Sequence, residues 1–229
     1  MAKSQRQERA RSIESAAIAG VVYAVLALVA FALLRQVPDL AGTDQEITAW
    51  YADRGHQTIL IVALNLVSIS AVAFLWFVAV IRRRIGDRED QFFSTVFLGS
   101  AVLYAALYMV GAVAAAAPAL AFSLLDGGSV DKAAATVSTG IAGGLLLVVG
   151  PRIQAVFIFT TSTVFLRTEV MPNWLAYFGY ASGAALFLIP LLIEPLGLWF
   201  PVWVFVASIT IAFTRPGRLD RLTDDPPQP

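Results

Sequence analysis

The sequence contains no cysteine and only one histidine, His56. Disulfides, thiolate nucleophiles, thiolate metal sites and cysteine-linked lipids are therefore excluded. A lone histidine, with no acidic or histidine residues grouped around it at ligand spacing, is typical of a surface position. We therefore predict no metal site and no cofactor.

The sequence also lacks the short motifs that common membrane enzymes and pumps require. It has no H-E-x-x-H pair, no Gly-Lys-Ser/Thr phosphate loop and no G-x-S-x-G elbow. A serine enzyme within the membrane would need a base, and His56 lies outside the apolar runs. We predict that the protein is not an enzyme, with a lipid-modifying enzyme as a distant alternative.

Charge is scarce in this chain. Charged residues make up 14% of it and the formal net charge is zero, whereas about 25% charged residues is usual in soluble domains. Hydrophobic residues make up 58%, against about 45–50% in soluble domains. The composition favours an integral membrane protein whose first partner is the lipid bilayer, and it gives no reason to expect a nucleic-acid partner.

The apolar residues come in blocks long enough to cross a bilayer, which needs about 20 helical residues. We predict an all-α, polytopic bundle of six transmembrane helices that forms one domain over residues 13–213. The predicted spans cover residues 13–34, 58–81, 92–117, 143–166, 174–193 and 195–213. A cleaved signal peptide is the alternative interpretation of the first block.

The two ends of the chain are polar. Residues 1–12 form a basic tail, and residues 214–229 form a short proline-rich tail. Such compositions cannot bury enough apolar surface to fold alone. We expect residues 1–10 and 214–229 to be disordered.

The distribution of basic residues predicts the orientation, because Lys and Arg are retained on the cytoplasmic side. With the N-terminus inside, the outer segments hold only Arg35, Arg54 and Lys132. An even number of spans then places both termini in the cytoplasm. The topology anchors are three arginines that follow the second span: Arg82, Arg83 and Arg84.

The longest connection, residues 35–57, is predicted to face outward. Within it, Thr43 and Glu46 have the spacing of a capping box, which predicts a short helix. Trp50 and Tyr51 follow and suit the level of the lipid headgroups. We interpret this segment as resting at the membrane surface, with a ligand lid as the alternative.

Glycines mark the places where helices can approach closely. Gly179 and Gly183 have G-x-x-x-G spacing in the fifth span. A second cluster lies in the fourth block and contains Gly140, Gly143 and Gly144. We interpret both groups as packing signals.

Few polar residues lie within the predicted spans, and each has an ordinary packing role as its first interpretation. Arginine is the exception, since at a helix centre it costs about 2.5–3.5 kcal/mol. Arg152 lies in the outer part of its span, where it can snorkel and pair with Glu194 or, less favourably, Asp126. The candidate polar site comprises Arg152, Glu194, Asn65, Tyr104, Tyr108 and Gln154.

Prolines lie within both of the longest apolar blocks, at Pro118 and Pro151. Pro151 cannot donate a hydrogen bond to the carbonyl of Leu147, so it predicts a kink or a break. We favour a bent helical hairpin that rises above the outer face. The alternative is a span broken into two halves, as at some transporter sites.

Two stretches suggest a relationship to other proteins: WFVAVIRRRIGDRED at 76–90 and FLRTEVMPNWLAYFG at 165–179. They resemble a family of uncharacterised six-span bacterial membrane proteins, mainly actinobacterial, classed as a domain of unknown function. The resemblance covers residues 13–213 and implies a multi-pass protein of the bacterial inner (plasma) membrane. It implies no activity and assigns no site residue.

Together these features predict an integral inner-membrane protein with a non-enzymatic, structural or partner-binding role. A membrane protein partner or a second copy of the chain would be its binding partner. The alternative function is a transporter or permeation module for a small solute, with a site near Arg152.

Overall fold

The computed structural model describes residues 2–38, 40–85, 91–124, 130–168, 172–188 and 196–213. Within these ranges every regular element is helical, as the sequence predicted. The described residues form eight α-helices and one π-helical segment: α1 Ala2–Leu34, α2 Asp44–Ala52, α3 Arg54–Ile85, α4 Gln91–Leu124, α5 Lys132–Gly143, the π segment Gly144–Val149, α6 Gly150–Thr168, α7 Asn173–Leu188 and α8 Leu196–Phe213.

Within the part of the chain that the structure describes, four helical stretches are long and apolar enough to cross a membrane: Ala17–Leu34, Arg54–Arg83, Phe93–Leu124 and Lys132–Arg167. The last of these combines α5, the π segment and α6. A shorter apolar helix covers Gly197–Phe213. These helices fit the membrane helix bundle that the composition predicted. The end of the predicted fifth span and the turn at Glu194 lie outside the described residues.

The N-terminal tail differs from its prediction. Disorder of residues 1–10 is wrong from Ala2 onward, because α1 begins there. Residues 2–19 contain no glycine or proline and are rich in Ala, Arg, Gln and Glu, which are strong helix formers. A helix already formed in the apolar block extends into this stretch without a new nucleation step. The predicted disordered tail 214–229 lies outside the described residues.

The predicted short helix in the longest connection is confirmed as α2, and its capping box is complete. The hydroxyl of Thr43 accepts from the N–H of Glu46, and the Glu46 carboxylate accepts from the N–H of Thr43 at 2.8 Å. Two bonds fix this region to the residues around the start of α5: Thr48 donates to Val130 O and Lys132 donates to Gly42 O. The loop is therefore held against the start of α5 both within α2, at Thr48, and just before it, at Gly42.

The two aromatic residues of this loop differ in exposure. Trp50 is partly exposed and stacks on His56, with ring centroids 4.1 Å apart. Tyr51, in contrast, is buried with 1% exposure, and its hydroxyl has no hydrogen-bond partner among the described residues. The ring of Tyr51 therefore packs inward and does not face the headgroup level.

Glu46 provides a measurable signature of the cap. The Glu46 carboxylate accepts hydrogen bonds from the backbone N–H of Thr43 and from the Thr43 hydroxyl. These bonds, the backbone bond more than the hydroxyl bond, lower the pKa of Glu46 from its ordinary value of 4.5. Because the folded pKa is lowered, the stabilisation is fully present above pH 4.5 and is lost as the pH falls through the folded pKa. In Thr43→Val we expect a 13C NMR titration to find this pKa partly restored, since only the backbone bond remains. An unchanged pKa would contradict the hydroxyl's contribution.

The helices converge on one cluster of aromatic rings, which we call the aromatic core: Tyr23, Phe74, Tyr104, Phe157 and Phe200. The ring of Phe74 lies 5.0, 5.2, 5.3 and 5.6 Å from the rings of Tyr23, Tyr104, Phe157 and Phe200, respectively. All five side chains are buried. They come from α1, α3, α4, α6 and α8, so a single ring contacts four other helices.

The two glycine groups have different roles. A Cβ atom at Gly179 would clash with the Ser162 hydroxyl, and one at Gly183 would lie 2.7 Å from the Phe159 ring. The close approach of α7 to α6 confirms the predicted packing role of this pair. The packing interpretation of the second group is wrong, because a Cβ atom would meet nothing within 4 Å at Gly140, Gly143 and Gly144.

Candidate functional site

A cavity of about 340 Å³ lies between α1, α4, α8 and the continuous helix formed by α5, the π segment and α6. Its volume is at the lower end of the roughly 300–1,000 Å³ that is typical of small-molecule sites. Most of the lining is apolar and includes Ala27, Phe31, Leu34, Ala115, Leu146 and Leu147. Polar groups lie at its ends, and they define what the cavity can bind.

The cavity extends along the C-terminal part of α1. Lining residues run from Ala27 to Leu34, which is about 10 Å of helix, and continue to Arg35 and Val37 beyond the helix end. Arg35 therefore lies at one end, where its side chain is exposed. Tyr104, Tyr108 and Gln154 line the other, deeper end.

The π segment forms part of the cavity wall, through Leu145, Leu146 and Leu147. At its end the N–H of Gly150 donates to the carbonyl of Leu145, five residues earlier. Pro151 follows and has no backbone N–H, so it could not donate an α-helical hydrogen bond. The i→i+5 hydrogen bonding of the π segment therefore ends at a position where the α-helical bond is missing anyway. The chain stays helical from Lys132 to Thr168, and two separate half-helices do not form.

Two glycines accommodate the π segment. A Cβ atom at Gly150 would lie 2.9 Å from the carbonyl oxygen of Leu145. A Cβ atom at Gly111 of α4 would lie 2.7 Å from the side chain of Leu146. Gly111 thus provides the space that Leu146 occupies on α4, and this contact holds the π segment beside the cavity. π-Helical segments within α-helices frequently occur at functional sites.

Hydroxyl groups from three helices meet at the deep end of the cavity. Tyr23 of α1 and Tyr104 of α4 are hydrogen-bonded through their hydroxyls at 2.7 Å. One turn further along α4, Tyr108 stacks on Tyr104 with ring centroids 5.8 Å apart and accepts from Ser70 of α3 at 3.4 Å. The two tyrosines of α4 are therefore each fixed by a neighbouring helix.

Gln154 is the least satisfied polar group of the cavity. Its side chain is 4% exposed and lies within hydrogen-bonding reach of the Tyr104 hydroxyl. Its Oε1 atom has no hydrogen-bond partner among the described residues. Leaving a buried acceptor unpaired costs about 1–3 kcal/mol. The unpaired Oε1 atom is itself inaccessible and lies beside the deep end of the cavity, where rotation of the Gln154 amide would turn it toward a donor group on a small molecule.

The structure brings together three residues of the sequence-based candidate site, Tyr104, Tyr108 and Gln154. Arg152 is not among the cavity-lining residues; its side chain is exposed and donates to the Val148 carbonyl, one turn earlier. Asn65 is also exposed and donates to the Ile61 carbonyl at 2.9 Å. Both satisfy part of their hydrogen-bonding capacity within their own helices.

The remaining candidates occupy other places. Glu194 and Asp126, the proposed partners of Arg152, lie outside the described residues. Pro118 lies inside α4, which continues to Leu124. The anchors Arg82 and Arg83 are exposed near the end of α3, and Arg84 belongs to the same last turn.

Three residues that line the cavity or hold its side chains in place were missed from the sequence: Tyr23, Ser70 and Arg35. Tyr23 and Ser70 lie on other helices than their partners, so no local spacing connects them with Tyr104 and Tyr108. Arg35 was counted only as an outer charge. One sequence signal was available, because glycines at 143, 144 and 150 with Pro151 leave little side-chain volume around the π segment.

No group of three or more histidine or acidic side chains that could hold a metal ion occurs within the described ranges. Comparison with models of protein families, with curated proteins and with solved structures finds no match to this chain. The site must therefore be interpreted from its own geometry.

Proposed function

We propose that this chain is a six-span protein of the bacterial inner membrane that binds a small amphipathic molecule in its cavity without changing it chemically. The observation that carries this proposal is the buried, unpartnered Oε1 of Gln154 at the end of an apolar cavity. The proposal keeps the sequence-based alternative of a small-solute site. It moves the centre of that site from Arg152 to Gln154.

The energetics favour a ligand with a hydrogen-bond donor. A hydroxyl or amide N–H that donates to Gln154 would remove the cost of the unpaired acceptor. The apolar atoms of the same molecule would pack against the cavity wall and be removed from water. The described lining residues include neither a carboxylate nor a histidine. The site offers hydrogen bonds and apolar contact, which is the chemistry of binding.

The proposed topology has six spans with both termini in the cytoplasm. Its support is the bias of Lys and Arg in the connections. Because the chain has no cysteine, single-cysteine variants test it directly with a membrane-impermeant maleimide. In intact cells we expect Gln45→Cys to be labelled and Asp87→Cys to be labelled only after the membrane is opened. The reverse pattern would contradict the orientation.

A cysteine reporter also tests binding. Gly143→Cys would place a thiol at the cavity wall, because Gly143 lines the cavity and a Cβ atom there would meet nothing within 4 Å. Gly140, three residues earlier on α5, is exposed and is not among the lining residues. In nanodiscs, decanol should slow maleimide labelling at position 143 and leave position 140 unchanged. Adding Gln154→Met should weaken this protection by about three- to tenfold, the value of one neutral hydrogen bond. Equal effects at both positions would contradict a ligand site.

Gln154→Met should also stabilise the ligand-free protein. Methionine has a similar shape and no acceptor to leave unpaired, and the Tyr104 hydroxyl that loses its bond to Gln154 keeps its bond to Tyr23. We therefore expect the free energy of unfolding to rise by about 1 kcal/mol. Gln57→Met is the control, because Gln57 donates to the Tyr51 carbonyl at 2.8 Å and its loss should destabilise. The measurement is unfolding by SDS titration of both variants. A loss of stability in Gln154→Met would mean that Gln154 has a structural role.

A further inference from the structure

We propose, on the basis of this binding function, that the cavity takes a single-chain amphiphile with a hydroxyl at one end and an acidic group at the other. The hydroxyl would donate to Gln154 at the deep end. The acid would lie beside Arg35 at the outer end. Three features of the cavity support this class: the charge at its outer end, the separation of its polar ends, and the narrowness of its walls.

Arg35 gives the outer end its charge. Among the described lining residues it is the one with a formal charge. Its guanidinium lies over the Phe31 ring, 5.9 Å from the ring centroid, and Phe31 is itself part of the cavity wall. A cationic side chain at the mouth of an apolar cavity favours an anionic group over an ammonium group, and because the Arg35 side chain is exposed this preference is partly screened by solvent.

The two polar ends are separated by apolar residues. Phe31 and Leu34 of α1 and the leucines of the π segment lie between Arg35 and Gln154. The stretch from Ala27 to Leu34 corresponds to about 10 Å of helix. A ligand that reaches both ends therefore needs an apolar chain of at least this length between its polar groups.

The cavity is narrow where α8 contributes to its wall. Gly197 lines the cavity, and a Cβ atom there would lie 2.9 Å from the Phe31 ring and 3.7 Å from Leu147. The α8 backbone thus closes tightly against both neighbours. A volume of about 340 Å³ is at the lower end for small-molecule sites, and the space suits one unbranched chain.

Three probes with the same chain and the same hydroxyl separate the effect of charge: decanol, 10-hydroxydecanoate and 10-aminodecanol. Each would be tested in nanodiscs for protection of Gly143→Cys from maleimide, in the Arg35, Arg35→Gln and Arg35→Glu backgrounds. Each probe is compared with itself between backgrounds, so differences in its partitioning into the bilayer cancel. Gly140→Cys reports any general effect of the probe on the membrane.

We expect Arg35→Gln to weaken protection by 10-hydroxydecanoate about three- to tenfold and to leave decanol unchanged. Arg35→Glu should reverse the effect of charge: relative to the Arg35 background, 10-aminodecanol should protect more strongly and 10-hydroxydecanoate more weakly. A merely structural arginine would weaken all three probes alike in both backgrounds. That result, or the absence of any charge reversal, would overturn the assignment of an acidic ligand.

This experiment separates the failure of the ligand class from the failure of the binding function. If all three probes protect Gly143→Cys equally in every background, the cavity binds amphiphiles and the acidic class is wrong. If no probe protects Gly143→Cys in any background, both the ligand class and the proposed binding function are wrong. Folding of each variant is checked by its SDS unfolding midpoint before labelling.

Discussion

Phe74→Ala should lower the free energy of unfolding by about 3 kcal/mol. The Phe74 ring is fully buried and touches four rings of the aromatic core, each from a different helix. Truncation of a buried phenylalanine costs about 3–5 kcal/mol in soluble proteins, as lost transfer free energy plus the cost of a cavity. Within lipid the transfer contribution is small, so the lower end of that range applies.

Trp76→Ala is the control for this prediction. Trp76 lies two residues away on the same helix and is larger, but it is 70% exposed on the outside of the bundle. Its truncation should change stability by less than about 0.5 kcal/mol. SDS titration of both variants provides the comparison. Equal losses would mean that α3 is stabilised by its outer face and that the aromatic core contributes little.

Phe74→Ala should also disturb the candidate site. The hydroxyls of Tyr23 and Tyr104 are joined at 2.7 Å, and both rings pack on Phe74. Losing the ring between them frees both tyrosines to change rotamer into the new space. We therefore expect weaker decanol protection of Gly143→Cys in this background, because the deep end of the cavity becomes less rigid.

Local sequence signals predicted the local structure well. The capping box of Thr43 and Glu46 predicted α2, because both partners lie within one turn and need nothing from the rest of the chain. The apolar blocks predicted long helices for the same reason, since lipid requires that backbone hydrogen bonds close within each helix. Four such helices are present among the described residues.

The candidate site was predicted only in part. Tyr104 and Tyr108 were recognised because residues one turn apart share a helix face. Their partners Tyr23 and Ser70 could not be found in this way, because the contacts depend on how α1, α3 and α4 pack. Gln154 was named for its polarity, but its importance comes from an unpaired atom that only the packed structure reveals.

Arg152 was singled out on a sound energetic basis, but it does not line the cavity. Its cost in a membrane depends on whether the side chain is directed inward, and sequence alone does not give the rotation of a helix. The π segment adds a residue to the turn just before Arg152, which changes the faces of all later residues. Arg152 is exposed as a result, while Gln154 faces the cavity.

Close packing of α1 showed the same limitation. Gly20 has no second glycine four residues away, so no G-x-x-x-G pattern marks it. In the structure a Cβ atom at this position would clash with the Ser208 hydroxyl of α8 and lie 2.7 Å from the Phe77 ring of α3. Gly20 is therefore a point where α1, α3 and α8 pack closely together.

Gly20→Leu should accordingly lower the free energy of unfolding by about 3 kcal/mol, the upper part of the range for overpacked cores. Rotation of Ser208 can relieve one clash, but the Phe77 ring is fully buried and has no free space to enter. The milder Gly20→Ala should cost about 1–2 kcal/mol, which keeps the effect measurable if the leucine variant does not assemble.

Gly99→Leu isolates the packing contribution. Gly99 also lies within a long apolar helix, but it is exposed and a Cβ atom there would meet nothing within 4 Å. The same substitution should therefore change stability by less than about 0.5 kcal/mol. If SDS titration finds equal losses for Gly20→Leu and Gly99→Leu, the cost arises from leucine in either helix, and α1 does not depend on close contact with α3 and α8. A loss confined to Gly20 instead assigns the cost to the junction of those three helices.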